Sequence, residues 1–185
     1  MTLADEPLDV LASGREPDRR RRAAVAFLVV TVLALGVVGW AVDRHGRHAE
    51  FSALVACRDR AFAAIDDARG LTSSMAEYVR PSLNFDTGVS SEGLYGMVAH
   101  AAAPAVPALS AAEAGCRTVR VRAWHGAQTR ARDVLLSYVG AEASLYRATA
   151  ADGHAFYGAN PTAGQRQAAA AAVDDARPGW LLVRP

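Results

Sequence analysis

Among the residues of this chain with the chemistry to bind a metal or form a covalent link, the scarcest are two cysteines and five histidines. Cys57 and Cys116 stand 59 positions apart. If they pair within one chain, the bond closes a loop whose lost chain entropy contributes about 4 kcal/mol. A bond between two chains and a pair of buried thiols are the competing arrangements. Two lone cysteines at that spacing give no metal signature. His45 and His48 form an i, i+3 pair that can share a metal on a helix face. Only Asp43 and Glu50 lie nearby to complete such a site, and a solvated linker is the plainer reading. His100, His125 and His154 are scattered surface or capping positions. Asp66-Asp67 and Asp174-Asp175 are adjacent pairs, and adjacent residues on a helix point apart. There is no G-x-S-x-G elbow, no glycine-rich phosphate loop and no H-E-x-x-H. The expectation is a non-enzyme with no catalytic residue, no metal site and no cofactor.

Arg117, Arg120, Arg122, Arg130 and Arg132 crowd one stretch. On a helical wheel they spread around most of the circumference, which predicts a solvated, salt-bridged helix and not a phosphate-binding stripe. Trp124-His125-Gly126 followed by Tyr138-x-x-x-Glu142 resembles, superficially, the W-x-G and Y-x-x-x-D/E elements of the small helical proteins exported by type VII secretion. In that family the W-x-G lies in the turn between two helices of a free chain. Here it is expected inside a helix and behind a membrane anchor, so nothing is carried over from the family.

Composition narrows the class. The chain has 185 residues, 20 basic and 19 acidic, and every basic residue is arginine. A formal charge of +1 argues against a nucleic-acid partner, which calls for a basic surplus. Hydrophobic residues make up 51%, but 41 of them are alanine, an excellent helix former and a poor core filler. The alanine and arginine bias fits a GC-rich coding sequence, as in a high-GC bacterium or its phage.

The strongest single signal is the uncharged run from Ala23 to Val42. At helical rise it spans about 30 Å, the hydrocarbon thickness of a bilayer. Arg19, Arg20, Arg21 and Arg22 stand immediately before it, and Trp40 sits where an interfacial anchor lies. The positive-inside rule then puts residues 1–22 in the cytoplasm as a short disordered tail. It puts the rest outside the cytoplasmic, or inner, membrane: a type II, single-pass topology. A cleaved signal peptide is the rival, but its apolar region is shorter and Gly39-Trp40-Ala41 is a poor cleavage site. No ionisable residue interrupts the run and no G-x-x-x-G face marks it, so it reads as an anchor and nothing more.

The fold class expected outside is all-α: a three- or four-helix bundle over residues 43–177 with one disulfide. Phe51, Leu54, Val55, Phe62, Ile65, Met75 and Val79 mark a first helix ending at Pro81. A short helix is expected over Ser91–Ala103, and Ser110-x-x-Glu113 resembles a capping box. A second long helix is expected from about Arg117 to Ala150, with Val121, Trp124, Ala131, Leu135, Tyr138, Val139 and Tyr146 on its seam. Asp152-Gly153 stops it, and Thr162 is expected to cap a last helix over Ala163–Arg177. A staple from Cys57 to the start of that second long helix makes it parallel to the first, giving up-down-up-down connectivity. Glu142 then lies 26 residues past the staple, about 39 Å at helical rise, beyond the reach of Arg58. Arg80 is its expected partner, or else both snorkel to solvent. Residues 178–185 form an apolar tail in which Trp180, Leu181, Leu182 and Val183 either fold back or dock into a partner. The functional expectation is an anchored accessory or assembly subunit of a membrane or envelope complex, in contact with the lipid bilayer and a protein partner. The alternatives are a stand-alone bundle holding a small apolar molecule around Trp124, Tyr138 and Phe62, and a metal-dependent protein.

Overall fold

The computed structural model describes residues 16–84, 90–158, 162 and 164–179, with the side chains of all but 16–19, 83 and 84. The described residues form five α-helices and no strand: α1 Glu16–Asn84, α2 Ser91–Ala102, α3 Ala105–Arg117, α4 Gly126–Ala151 and α5 Gln165–Asp175. A short 3-10 turn, Gly153–Tyr157, follows α4. Contacts divide the chain into two compact units, Met1–His45 and Gly46–Pro185.

In the first unit, every residue from 23 to 42 is exposed. The most apolar eighteen-residue window of the helix has a mean hydropathy of 2.6, with none of it buried. It is the one single helix among the described residues long and apolar enough to cross a membrane. Arg20, Arg21 and Arg22 stand exposed before it, and the Arg44 guanidinium lies 5.1 Å from the Trp40 ring centroid.

The second unit is built on the remainder of α1. Its buried positions, Phe51, Leu54, Cys57, Ala61, Ile65, Ala68, Thr72, Ala76 and Val79, recur every three or four residues and make one continuous stripe. Pro81 does not end the helix, which runs on to Asn84. A proline there forfeits one hydrogen bond in the last turn, and its own φ suits a helix. His45 and His48 lie within α1, exposed, and not in a linker.

Four arms pack side by side. Leu94 and Val98 of α2 pack with Ala76 and Val79 of α1, and Cys116 at the end of α3 pairs with Cys57. The α2–α3 arm therefore descends along α1. It bends by 42° at Ala103-Pro104, where proline has no N–H to continue the ladder. His125 meets Glu50, and Glu142 meets Arg69, so α4 runs parallel to α1. Arg166 meets Asp66, and Asp174 meets Arg58, so α5 descends again. Alanines at the contacts, among them Ala61, Ala102, Ala131, Ala143 and Ala169, let the backbones approach closely.

Up-down-up-down connectivity is as expected, but the second long helix is not. Residues 118–125 leave the helix, and α3 and α4 are separate arms running in opposite directions. The cysteine pair, with Cα atoms 5.3 Å apart, therefore ties α1 to the end of a descending arm and not to the start of an ascending one. Ser110 and Glu113 lie inside α3 and form no capping box. The cap that does form is Ser90, whose Oγ accepts from Gly93 N at 3.1 Å. Asp152 stops α4 as expected, and its carboxylate accepts from His154 N at 3.0 Å. At α5 the cap is Gly164, in the left-handed region at φ 79°; Thr162 contributes its carbonyl to Gln165 N.

Candidate functional site

Three levels along α1 collect the polar chemistry of the second unit. At its start Glu50, nearly buried, accepts from His125 Nδ1 at 2.5 Å and from Arg122 N at 3.3 Å. His125 has no exposed surface, so it is not a surface residue; it holds the N-cap position of α4, where its carbonyl accepts from Thr129 N at 3.0 Å and its side chain makes no capping bond. The pair pins the 118–125 turn to the first turn of the unit. The Arg122 side chain lies directly across Gly46, where a Cβ would overlap the guanidinium.

The middle level is the centre of the bundle. Glu142 is 0% exposed and faces α1 among Tyr138, Tyr146 and Thr72, all buried. A carboxylate taken out of water needs a cation and hydrogen bonds, or it takes up a proton. Arg69 supplies the cation: its Nη2 contacts Glu142 Oε1 and also donates to Thr162 Oγ1 at 3.3 Å. Arg80 is not the partner, and Arg58 binds Asp59 at 2.9 Å and Asp174 at 3.0 Å. The expected register failed because residues 118–125 make a turn and α4 starts afresh opposite Glu50. Glu142 therefore sits far lower along α1 than a continuous helix from Cys116 would carry it.

Glu142 Oε2, the Tyr138 and Tyr146 hydroxyls and Thr72 Oγ1 are buried without reaching hydrogen-bonding geometry among the described residues. Beside them a cavity of about 250 Å³ is bounded by Arg69, Ser73, Glu142, Leu145, Tyr146 and Phe156. Burial, and then the Glu142 charge, pushes both Tyr138 and Tyr146 up to about 12. Each phenol is thus held neutral beside a carboxylate. One turn lower along α1, Arg166 Nη2 meets Asp66 Oδ2 at 2.7 Å, and that hydrogen bond holds the Asp66 carboxyl below its ordinary value.

The third level closes the far end. Tyr157 OH donates to Ala76 O at 3.0 Å, and the Tyr95 and His154 rings stack at 3.4 Å between centroids. The α2 backbone passes so close to Gly153 that a Cβ there would overlap the Tyr95 carbonyl.

The Phe62 and Tyr138 rings meet edge to face at 5.6 Å, whereas Trp124 stands 69% exposed on the 118–125 turn, so these three enclose no common apolar pocket. Val121 and Trp124 are not on the α4 seam; Ala131, Leu135, Tyr138, Val139 and Tyr146 are, all buried. Trp124 and His125 lie in the turn between α3 and α4, and Gly126 is the first residue of α4. Trp180, Leu181, Leu182 and Val183 lie outside the described residues, as does the Arg19 side chain. Among the described residues no three His, Cys, Asp or Glu side chains converge to hold a metal ion. Sequence reasoning missed the Arg69–Glu142 and Glu50–His125 pairs. Glu142 on an apolar seam was a visible signal, but its register was not.

No family model, curated protein or solved structure matches this chain.

Two outcomes test the buried centre. Arg69→Met strands Glu142 and lowers the unfolding free energy by about 3 kcal/mol, the low end for a broken buried pair because Arg69 keeps 35% exposure. Adding Glu142→Met to that variant recovers most of the loss in urea unfolding; equal loss in both variants contradicts the assignment. Tyr138 and Tyr146 ionise at about 12 when folded and near 10 when unfolded. Their contribution is therefore complete below pH 10 and is lost as pH rises toward 12. Tyr138→Phe with Tyr146→Phe should flatten that alkaline fall in the urea midpoint, and an unchanged slope would count against it.

Proposed function

We propose that this chain is a type II, single-pass membrane protein whose helical bundle lies outside the cytoplasmic membrane. It works there by contact, as an accessory or assembly subunit of a larger membrane or envelope complex. The observation that carries the reading is the uncharged run 23–42, exposed along its whole length. So long an apolar surface calls for a bilayer or a partner to cover it. The arginines at positions 19–22 support an inside N-terminus. A cysteine pair at bonding distance fits an oxidising compartment.

A contact role needs a face, and α1 offers one. Leu71 and Tyr78 are large, exposed and seven residues apart, two helical turns along one side. A photo-crosslinking residue at either position in cells, with recovery through an N-terminal tag, should capture one and the same protein in stoichiometric yield. The same residue at exposed Gln167 on α5 should not. Recovery of the chain alone, as monomer or homodimer, counts against the subunit reading.

One observation favours a second reading, a small-ligand-binding bundle. The cavity of about 250 Å³ beside Glu142 and Tyr146 offers a carboxylate oxygen, a phenol and the Phe156 ring. That suits a small molecule with an N–H or O–H donor, not the apolar ligand expected around Trp124.

A further inference from the structure

The geometry points to a lipid-headgroup site on the turn at residues 118–125, which binds the anionic surface of the membrane that the chain itself spans; this rests on the anchor reading above. Residues 114–132 contain five arginines and no carboxylate. On a helix they would scatter around the axis. The turn instead gathers Arg117, Arg120, Arg122 and Arg130 at one end of the bundle, with Arg117, Arg120 and Arg130 exposed. Trp124 stands beside them, its ring centroid 5.9 Å from the Arg122 guanidinium. Arginine for phosphate and tryptophan for the polar–apolar boundary is the pairing that a bilayer interface selects.

Two constraints place and hold this end. Arg122 lies on Gly46, which follows the last residue of the apolar run, Val42, by four positions. Whatever the angle between the two units, four residues span no more than about 14 Å. The polar layer of a bilayer adds several ångströms beyond the hydrocarbon on each side, and charge attraction reaches a further Debye length of about 8 Å. Arg122 is therefore within range of the headgroups by covalent connection alone, and exposed Arg120 is two residues from it. The turn is also fixed at both ends, by Cys116 to Cys57 and by His125 to Glu50. Two of the nearby carboxylates are already engaged: Glu113 accepts from Arg117 at 2.6 Å, and Glu50 accepts from His125 and Arg122 N and lies 3.8 Å from the Arg122 guanidinium, so Arg120 and Arg130 carry the charge that remains. Neutralisation of the remaining charge falls to lipid phosphate.

The test uses the full chain carrying Trp40→Phe and Trp180→Phe, so that Trp124 is the reporter. It is reconstituted into vesicles of phosphatidylcholine alone or with phosphatidylglycerol, each doped with brominated lipid. With phosphatidylglycerol, Trp124 emission should shift to the blue and bromine quenching should be at least twice that in phosphatidylcholine. Half-molar salt, Arg120→Gln with Arg130→Gln, or the corresponding double change to Glu should abolish the difference; these are exposed residues outside the Glu50 pair. A chain that stays in the vesicles after a carbonate wash but shows equal quenching, and full acrylamide access, in both lipids overturns this inference alone. A chain that washes off overturns the anchor reading and this inference with it.

Discussion

The bundle is organised around one buried charge. Glu142 carries a carboxylate into a core of alanine, valine, leucine and tyrosine, with no exposed surface of its own. Such a group is stable only if a cation reaches it at the right height. Arg69 does so from α1, and that fixes the register of α4 against α1. The remaining ties agree with this register: Glu50 with His125 below it, Asp66 with Arg166 beside it, and Ala76 with Tyr157 above it. An alanine-rich surface fits many sliding positions almost equally well. Paired charges and a disulfide do not, so they select one.

The use of α1 as a common strut explains why such small side chains suffice. Each arm need only meet α1 and a neighbour, and alanine allows that at close range. Where the packing is closest, at Gly153 under Tyr95, even a methyl group is too much. Larger residues are concentrated in α4, which touches α2, α3 and α5 as well as α1 and fills the middle with Leu135, Tyr138 and Tyr146.

Much of this was legible in the residues themselves. The apolar run, the spacing Phe51–Leu54–Ile65–Val79 and the stop at Asp152-Gly153 all follow from local pattern; the pairing of Cys57 with Cys116, 59 positions apart, is a long-range contact that local pattern left open. The errors share one cause. Residues 118–125, TVRVRAWH, contain neither glycine nor proline, and periodicity carries straight through them, so a turn there leaves no local mark. It forms because Glu50, far away in sequence, binds His125 and the Arg122 backbone. Missing it displaced Glu142 along the bundle, put Trp124 on a seam and scattered the arginines around a wheel. Pro81 erred in the opposite sense: a strong local breaker is tolerated in a final turn.

The proposed function requires that the chain cross the membrane once and keep its anchor. The direct measurement is protease treatment of right-side-out spheroplasts carrying the protein with one epitope at each end. The C-terminal epitope should be digested while the N-terminal epitope survives on a short membrane-bound fragment. Protection of both epitopes, or absence of the N-terminal epitope from the mature protein before any protease is added, would contradict it.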